Sequence, residues 1–184
     1  GSDGNTVHTY HWFDAIDAVI HPDLTAPNPC GWSSVSPCDD HGHGTHTMGT
    51  MVGDDGAGHQ IGVAPGARWI GCRNMEQGWG TPATYAECFE FFLAPYPVGG
   101  SAMIDGDPSR APHVINNSWT CPPSEGCDTT ATQLMETVVN NVRAAGIVVV
   151  TSAGNSGSAC GSVTGPPAIF ESALAVGAVD GSDA

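Results

Sequence analysis

Positive charge is scarce in this sequence. Lys and Arg together number four against nineteen Asp and Glu, a formal net charge of −15 over 184 residues. Phosphate backbones need basic partners, so this balance excludes nucleic acid as a natural partner. It argues equally against adhesion to anionic membranes. Charged residues of either sign make up only 12% of the chain, so the net charge reflects missing bases more than surplus acids. Long hydrophobic runs are lacking too. Nothing approaches the ~18 consecutive apolar residues that a membrane-spanning helix needs. Neither an internal repeat nor a coiled-coil heptad is present. At 40% hydrophobic the chain is not a disordered acidic tail. Its length suits one domain that buries roughly 70% of the surface its unfolded chain would expose.

Cysteine is plentiful, with seven residues beside 25 Gly and 14 Pro. In so acidic a chain this composition predicts a secreted, extracellular, loop-rich protein. Cys30 and Cys38 bracket one Gly/Pro/Ser loop, and Cys121 and Cys127 bracket another. Neither pair has the spacing of a metal-binding CxxC, so both are expected to be local disulfides. Cys72 and Cys88 form a third expected pair, from a strand to the following helix, which leaves Cys160 over. No leader segment is read at the start of the sequence.

Residues 1–38 read as an irregular Cys/Pro-rich segment, with one helical patch expected from Trp12, Phe13, Ile16 and Ile20. Residues 39–184 read as an α/β core. His43 to Val52 is expected as a short helix and Arg68 to Arg73 as a strand. Thr81 is a good N-cap, Pro82 fits the first helical position, and Pro95 and Pro97 end the helix. Residues 94–112 look like a surface excursion, and Val114 to Ser118 a strand leading into a loop. Ala131, Leu134, Met135, Val138, Val142 and Ala145 recur at helical spacing until Gly146. Ile147 to Val150 is a continuous apolar run, expected as a strand buried on both faces, and Leu174 to Val179 is another. Strands alternating with helices predict a parallel sheet. In such sheets sites form beyond the carboxyl ends of the strands, here Asn117–Thr120 and Thr151–Gly157.

The densest chemical signal is His41-Gly42-His43-Gly44-Thr45-His46. One reading is zinc: the H-x-H-x-x-H spacing resembles the first ligand run of the metallo-β-lactamase family, with Thr45 where that family has Asp. That reading makes the chain a zinc hydrolase using His41, His43 and His46. The other is a catalytic histidine opening a helix of small residues. The wider context favours the second. His43-Gly44-Thr45-His46-Thr47-Met48-Gly49-Thr50 resembles the histidine motif of the subtilisin-like serine proteases (peptidase family S8). Gly62-Val63-Ala64-Pro65-Gly66-Ala67 follows, similar to that family's G-V-A-P-x-A segment. Asn117-Ser118-Trp119 resembles its N-x-S-x-G strand end, with Thr120 where Gly is usual. Ser152-Ala153-Gly154-Asn155 is similar to its A-A-G-N loop. Pro167-Ala168 and Ala175-Val176-Gly177-Ala178-Val179-Asp180 resemble its last matching segment. The order is also the family's. Residues 10–16 and the excursion at 94–112 look closest to its bacillopeptidase F branch.

The resemblance implies an incomplete subtilisin-like three-layer α/β fold and an endopeptidase that acylates a serine. A serine hydroxyl is a weak nucleophile at neutral pH and needs an adjacent base, which His43 would be. Asn155 would donate its side-chain N–H to the oxyanion of the tetrahedral intermediate. Ser118, Trp119, Thr120 and Ser152, Ala153, Gly154 would form two walls for the substrate side chain before the scissile bond. These segments carry small residues and no Asp or Glu, so an apolar or aromatic preference is expected. His46 is expected to be packed and hydrogen-bonded, and His41 to be exposed. No cofactor is required. Calcium is an expectation of the resemblance, with Asp54 and Asp55 the candidate carboxylates.

Two family segments have no counterpart. No Gly-Thr-Ser occurs, and no D-[ST]-G follows an apolar strand; Asp14, Asp17, Asp39 and Asp40 do not fit the orienting Asp. One triad member and the oxyanion donor are present, so these 184 residues alone are expected to show no serviceable peptidase activity. The expected partner is a protein or peptide substrate. Sheet surface left uncovered is expected to find a second or swapped copy. A non-catalytic domain that keeps the peptide-binding strands is the remaining alternative.

Overall fold

The computed structural model describes residues 8–24 and 26–179. Capping chemistry sets where its two long helices begin. Thr81 accepts the Thr84 N–H at 3.2 Å, and the Thr84 hydroxyl accepts the Thr81 N–H at 3.0 Å, a reciprocal box that starts helix α2 at Pro82–Leu93. Asp128 accepts the Ala131 N–H at 2.9 Å and starts helix α4 at Thr129–Ala144. Gly146 ends it in the left-handed region at φ 88°. Between them lie a short helix α3 (Ala102–Asp105) and a 3₁₀ turn at Pro108–Arg110. The expected helix at His43–Val52 forms over those residues as α1.

Helices α2 and α4 pack on each other and on one face of a parallel sheet ordered β5 (Val114–Asn117), β6 (Val148–Ser152), β7 (Leu174–Val176). Tyr85, Phe89, Met135, Val139, Val142, Ile115 and Val149 meet there in the main core. The register pairs Val114 with Val148, Val150 with Leu174, and Ser152 with Val176, so these side chains share the opposite face. That face is bare: Val114 is 55% exposed, Leu174 57% and Val176 52%. The apolar run at 147–150 is therefore buried on one face, not on both as expected, because no described element covers the other.

A second parallel pair joins β1 (Trp12–Asp14) to β2 (Gly71–Arg73), with Trp12 opposite Gly71 and Asp14 opposite Arg73. The expected helical patch at 12–20 is thus a strand at its start. A Cβ at Gly71 would stand 3.3 Å from the Trp12 ring, so the strands approach this closely because the position is glycine. The Cys72–Cys88 disulfide fastens β2 to α2. Among the described residues the five parallel strands thus form two sheets rather than one, and β1, β2, β5 and β7 each have a single neighbour. A small hairpin, β3 (Met75–Glu76) and β4 (Trp79–Gly80), turns at Gln77 and Gly78, both at positive φ.

The Cys/Pro-rich stretch between β1 and α1 has little regular structure. It is ordered around one guanidinium. Arg73 Nη1 donates to Asp14 Oδ2 and to the Gly31 carbonyl, each at 3.0 Å. Nη2 donates to Asp40 Oδ2 at 2.5 Å and Asn28 Oδ1 at 3.1 Å. The Arg73, Asp14 and Asp40 side chains are 4%, 1% and 4% exposed. Asp14 also accepts the N–H groups of Ile16 and Ser34. Asn28 passes the network on to buried Glu76, which accepts the Ile20 N–H. Asp14 is therefore a buried ion-pair partner, not the ordinary acidic side chain expected.

All three expected disulfides form, at Cys30–Cys38, Cys72–Cys88 and Cys121–Cys127, and Cys160 is free and exposed. Among the described residues no helix is long and apolar enough to cross a membrane.

Removing the guanidinium leaves two buried carboxylates without their counter-charge. Arg73→Met should cost about 3–5 kcal/mol in urea denaturation. Arg73→Lys should recover little of it, because one ammonium cannot span four separated acceptors. Loss of less than about 1 kcal/mol in both variants contradicts the network's role.

Candidate active site

The carboxyl ends of β5 and β6 open into two neighbouring loops. Buried Asn117 closes β5 by donating its side-chain N–H to the Val150 carbonyl at 3.2 Å. The chain then runs through Ser118, Trp119 and Thr120 to Cys121, where the Cys121–Cys127 disulfide holds a tight loop. The Pro166 carbonyl fastens this loop from across the opening: it accepts the Thr120 hydroxyl at 3.0 Å and the Cys121 N–H at 2.9 Å. Residues 166 and 167 are joined by a cis peptide bond. A Cβ at Gly165 would fall 2.1 Å from Thr120 Oγ1, so this contact requires glycine. After β6, Ala153 donates its N–H to the Val176 carbonyl at 2.9 Å, and Gly154 turns the chain at φ 87°.

Between these loops lies a cavity of about 310 Å³. Thr120, Cys121, Ala153 to Asn155, Gly165 and Pro166 are among the residues that line it. No Asp, Glu, Lys or Arg lines it. Of the residues expected there, Thr120, Ser152, Ala153, Gly154 and Asn155 come together, and Ser118 and Trp119 do not. Ser118 instead accepts the Asn116 side-chain N–H at 2.9 Å. The Trp119 ring stacks on Tyr85 at 3.9 Å and 6° and packs at the margin of the core. Tyr85 in turn donates to Glu125 at 2.6 Å. Burial, reinforced by Glu125, pushes the Tyr85 phenol far above its ordinary range, and burial raises Glu125 also. Gly165 and Pro166 were not singled out from the sequence; the signal was that they directly precede Pro167-Ala168.

His43 stands at the first position of α1, exposed, and is not among the residues lining the cavity. Its N-cap neighbour Gly42 sits at φ 85° and carries no capping side chain. Asp39 supplies the acceptors instead, taking N–H groups from His41, Gly42 and Thr45 and the Thr45 hydroxyl. Partial desolvation opposes ionisation of Asp39, but these four bonds together hold its carboxyl well below the usual carboxylate range. Asp40 turns away from the histidines to Arg73.

His41 lies over Gly78, where a Cβ would stand 3.2 Å from its Nε2. His46, expected packed and hydrogen-bonded, is exposed and makes no side-chain hydrogen bond among the described residues, because nothing described covers that side of α1. The zinc reading finds no support. The His41 and His43 rings are 6.3 Å apart, and among the described residues no group of three His, Cys, Asp or Glu side chains gathers. The oxygens of Asp54 and Asp55 accept the N–H groups of Gly56, Ala57 and His59, the Gln60 amide, and at 2.6 Å the His59 ring.

The family model described as the subtilase family, peptidase S8, matches residues 14–184. The chain is 40% identical to Bacillopeptidase F of Bacillus subtilis (strain 168) over 175 residues, covering 92% of this chain and 10% of that protein. It is 36% identical to a thermophilic serine proteinase of Bacillus sp. (strain AK1), covering 89% of this chain and 36% of that protein. It is 30% identical to Subtilisin Savinase of Lederbergia lenta, covering 87% of this chain and 51% of that protein. The chain thus spans between a tenth and a half of the length of these relatives. With its parallel strands and the helices that flank them, it has an incomplete subtilisin-like α/β fold. The chain belongs to the subtilase family of serine proteases.

Proposed function

We propose that this chain supplies the histidine, the oxyanion donor and the pocket for the residue before the scissile bond of a secreted serine endopeptidase. The observation that carries the reading is the cavity at the carboxyl ends of β5 and β6, with Asn155 at its edge, in a chain of this family. His43 is the general base: it takes the serine proton during attack and returns it to the leaving amine. Asn155 donates to the oxygen that becomes negative in the tetrahedral intermediate. Ser118 to Thr120 and Ser152 to Gly154 are the strand ends along which an extended peptide lies. Three disulfides suit an oxidising, extracellular compartment.

Serine and its orienting aspartate belong to polypeptide outside these 184 residues. The open edges of β2 and β5 and the bare face of β5–β6–β7 support that reading, since parallel sheets are covered on both faces. The chain alone should therefore turn over no chromogenic peptide; turnover blocked by a serine-directed phosphonate contradicts this. In a longer polypeptide that carries both segments, Asn155→Ala should lower turnover about 10²–10³-fold, a magnitude carried over from a subtilisin. His43→Ala should lower it by at least as much, and activity unchanged in either variant removes that residue from the mechanism.

The neutral lining predicts substrates with apolar or aromatic side chains before the cleaved bond. A peptide panel in which Lys or Arg is strongly favoured rejects this.

Expressed alone, the chain should hide its bare valine and leucine face in a dimer or a swapped assembly. Sedimentation equilibrium should show association that strengthens with concentration. A strictly monomeric profile at high concentration contradicts it.

A further inference from the structure

The first turn of a helix leaves N–H groups that need acceptors, and the N-cap side chain normally provides one. Gly42 cannot, so α1 opens without a cap of its own. Asp39 reaches in from outside the helix. Its Oδ1 accepts the N–H groups of His41 at 3.0 Å and Gly42 at 2.7 Å. Its Oδ2 accepts the Thr45 N–H at 2.8 Å and the Thr45 hydroxyl at 2.6 Å. One oxygen thus holds the chain before His43 and the other holds it after. His43 itself makes none of these bonds; it is the residue the carboxylate spans. The left-handed turn at Gly42 lets the chain fold back toward Asp39. At Gly44 an added Cβ would already touch Asp39 Oδ2 at 3.6 Å.

We propose that Asp39 is a positioning residue for His43: its carboxylate fixes the backbone on both sides of the histidine, and with it the direction in which the imidazole is presented. The four hydrogen bonds keep Asp39 ionised throughout the range in which an imidazole titrates. The proposal rests on the reading of His43 as the base, but it is tested without catalysis.

The test is NMR on the oxidised 184-residue chain, wild type against Asp39→Asn, Thr45→Val and Thr45→Ser. Asp39→Asn keeps an acceptor but loses the charge and half of the bracket. The His43 ring signals should shift and broaden as its backbone anchor loosens. Amide exchange at Thr45 should quicken about fivefold, the equivalent of a lost cap. Thr45→Val, which removes one donor, should loosen the His43 ring signals, and Thr45→Ser, which restores it, should return them to wild type. If Asp39→Asn lowers only the melting temperature, with the His43 ring signals and Thr45 exchange unchanged, Asp39 is structural and the proposal is overturned. If Thr45→Val and Thr45→Ser behave alike, the bracket does not act through that hydroxyl and the geometry is contradicted. A separate failure, activity surviving His43→Ala in the longer polypeptide, would reject the base reading while leaving these signals unchanged.

Discussion

A single buried guanidinium ties together parts of the chain that share no regular secondary structure. Arg73 ends β2, and its four hydrogen bonds reach β1 through Asp14, the segment before Cys30 through Asn28, the Cys30–Cys38 loop through Gly31, and the approach to α1 through Asp40. The loop that carries Asp39 and His43 is therefore anchored by its neighbour, Asp40, to a strand of the fold. Two adjacent aspartates divide the work. Asp40 fixes where the loop sits, and Asp39 fixes how the helix leaves it. A hydrophobic anchor could have given as much stability. The charged one specifies partners, because buried carboxylates accept no substitute for a donor that reaches them in the right geometry.

The cavity side of the molecule is held differently, by backbone and glycine. The Pro166 carbonyl takes two donors from the 118–121 loop, and Gly165 leaves the space that Thr120 fills. Thr120, where the family usually has glycine, thereby trades the space of a bare backbone for a hydroxyl fastened to the opposite wall. Trp119 is withdrawn into the stack with Tyr85, leaving the lining to small and neutral side chains. The site region is backed by α2 and α4, and bare on the sheet face away from them.

Elements governed by neighbours in sequence were legible before any coordinates. Thr81-Pro82 marks where α2 begins, and Gly146 where α4 stops, because helix ends are set by residues close in sequence. Cysteines bracketing short loops pair for the same local reason. The stretch at 12–20 misled, since Trp12, Phe13, Ile16 and Ile20 have helical spacing while pairing with Gly71–Arg73 makes the start a strand. The network around Arg73 was invisible because its partners lie 33 to 59 residues away. In the site, the motif loops at 118–120 and 152–155 were readable from residue type. The withdrawal of Trp119 and the exposure of His46 were not, since each depends on what lies, or does not lie, against that side chain.

We propose that the imidazole of His43 and the carboxamide of Asn155 attend the same reacting carbonyl. Paramagnetic broadening tests it most directly: a nitroxide placed at position 155, in a chain with Cys160 changed to Ser, and the ring signals of His43 recorded in the oxidised and then the reduced state of the label. The account predicts that the oxidised label erases the His43 ring signals and that reducing it restores them. Ring signals of equal intensity in both states would put the two side chains too far apart to share a substrate, and would contradict it.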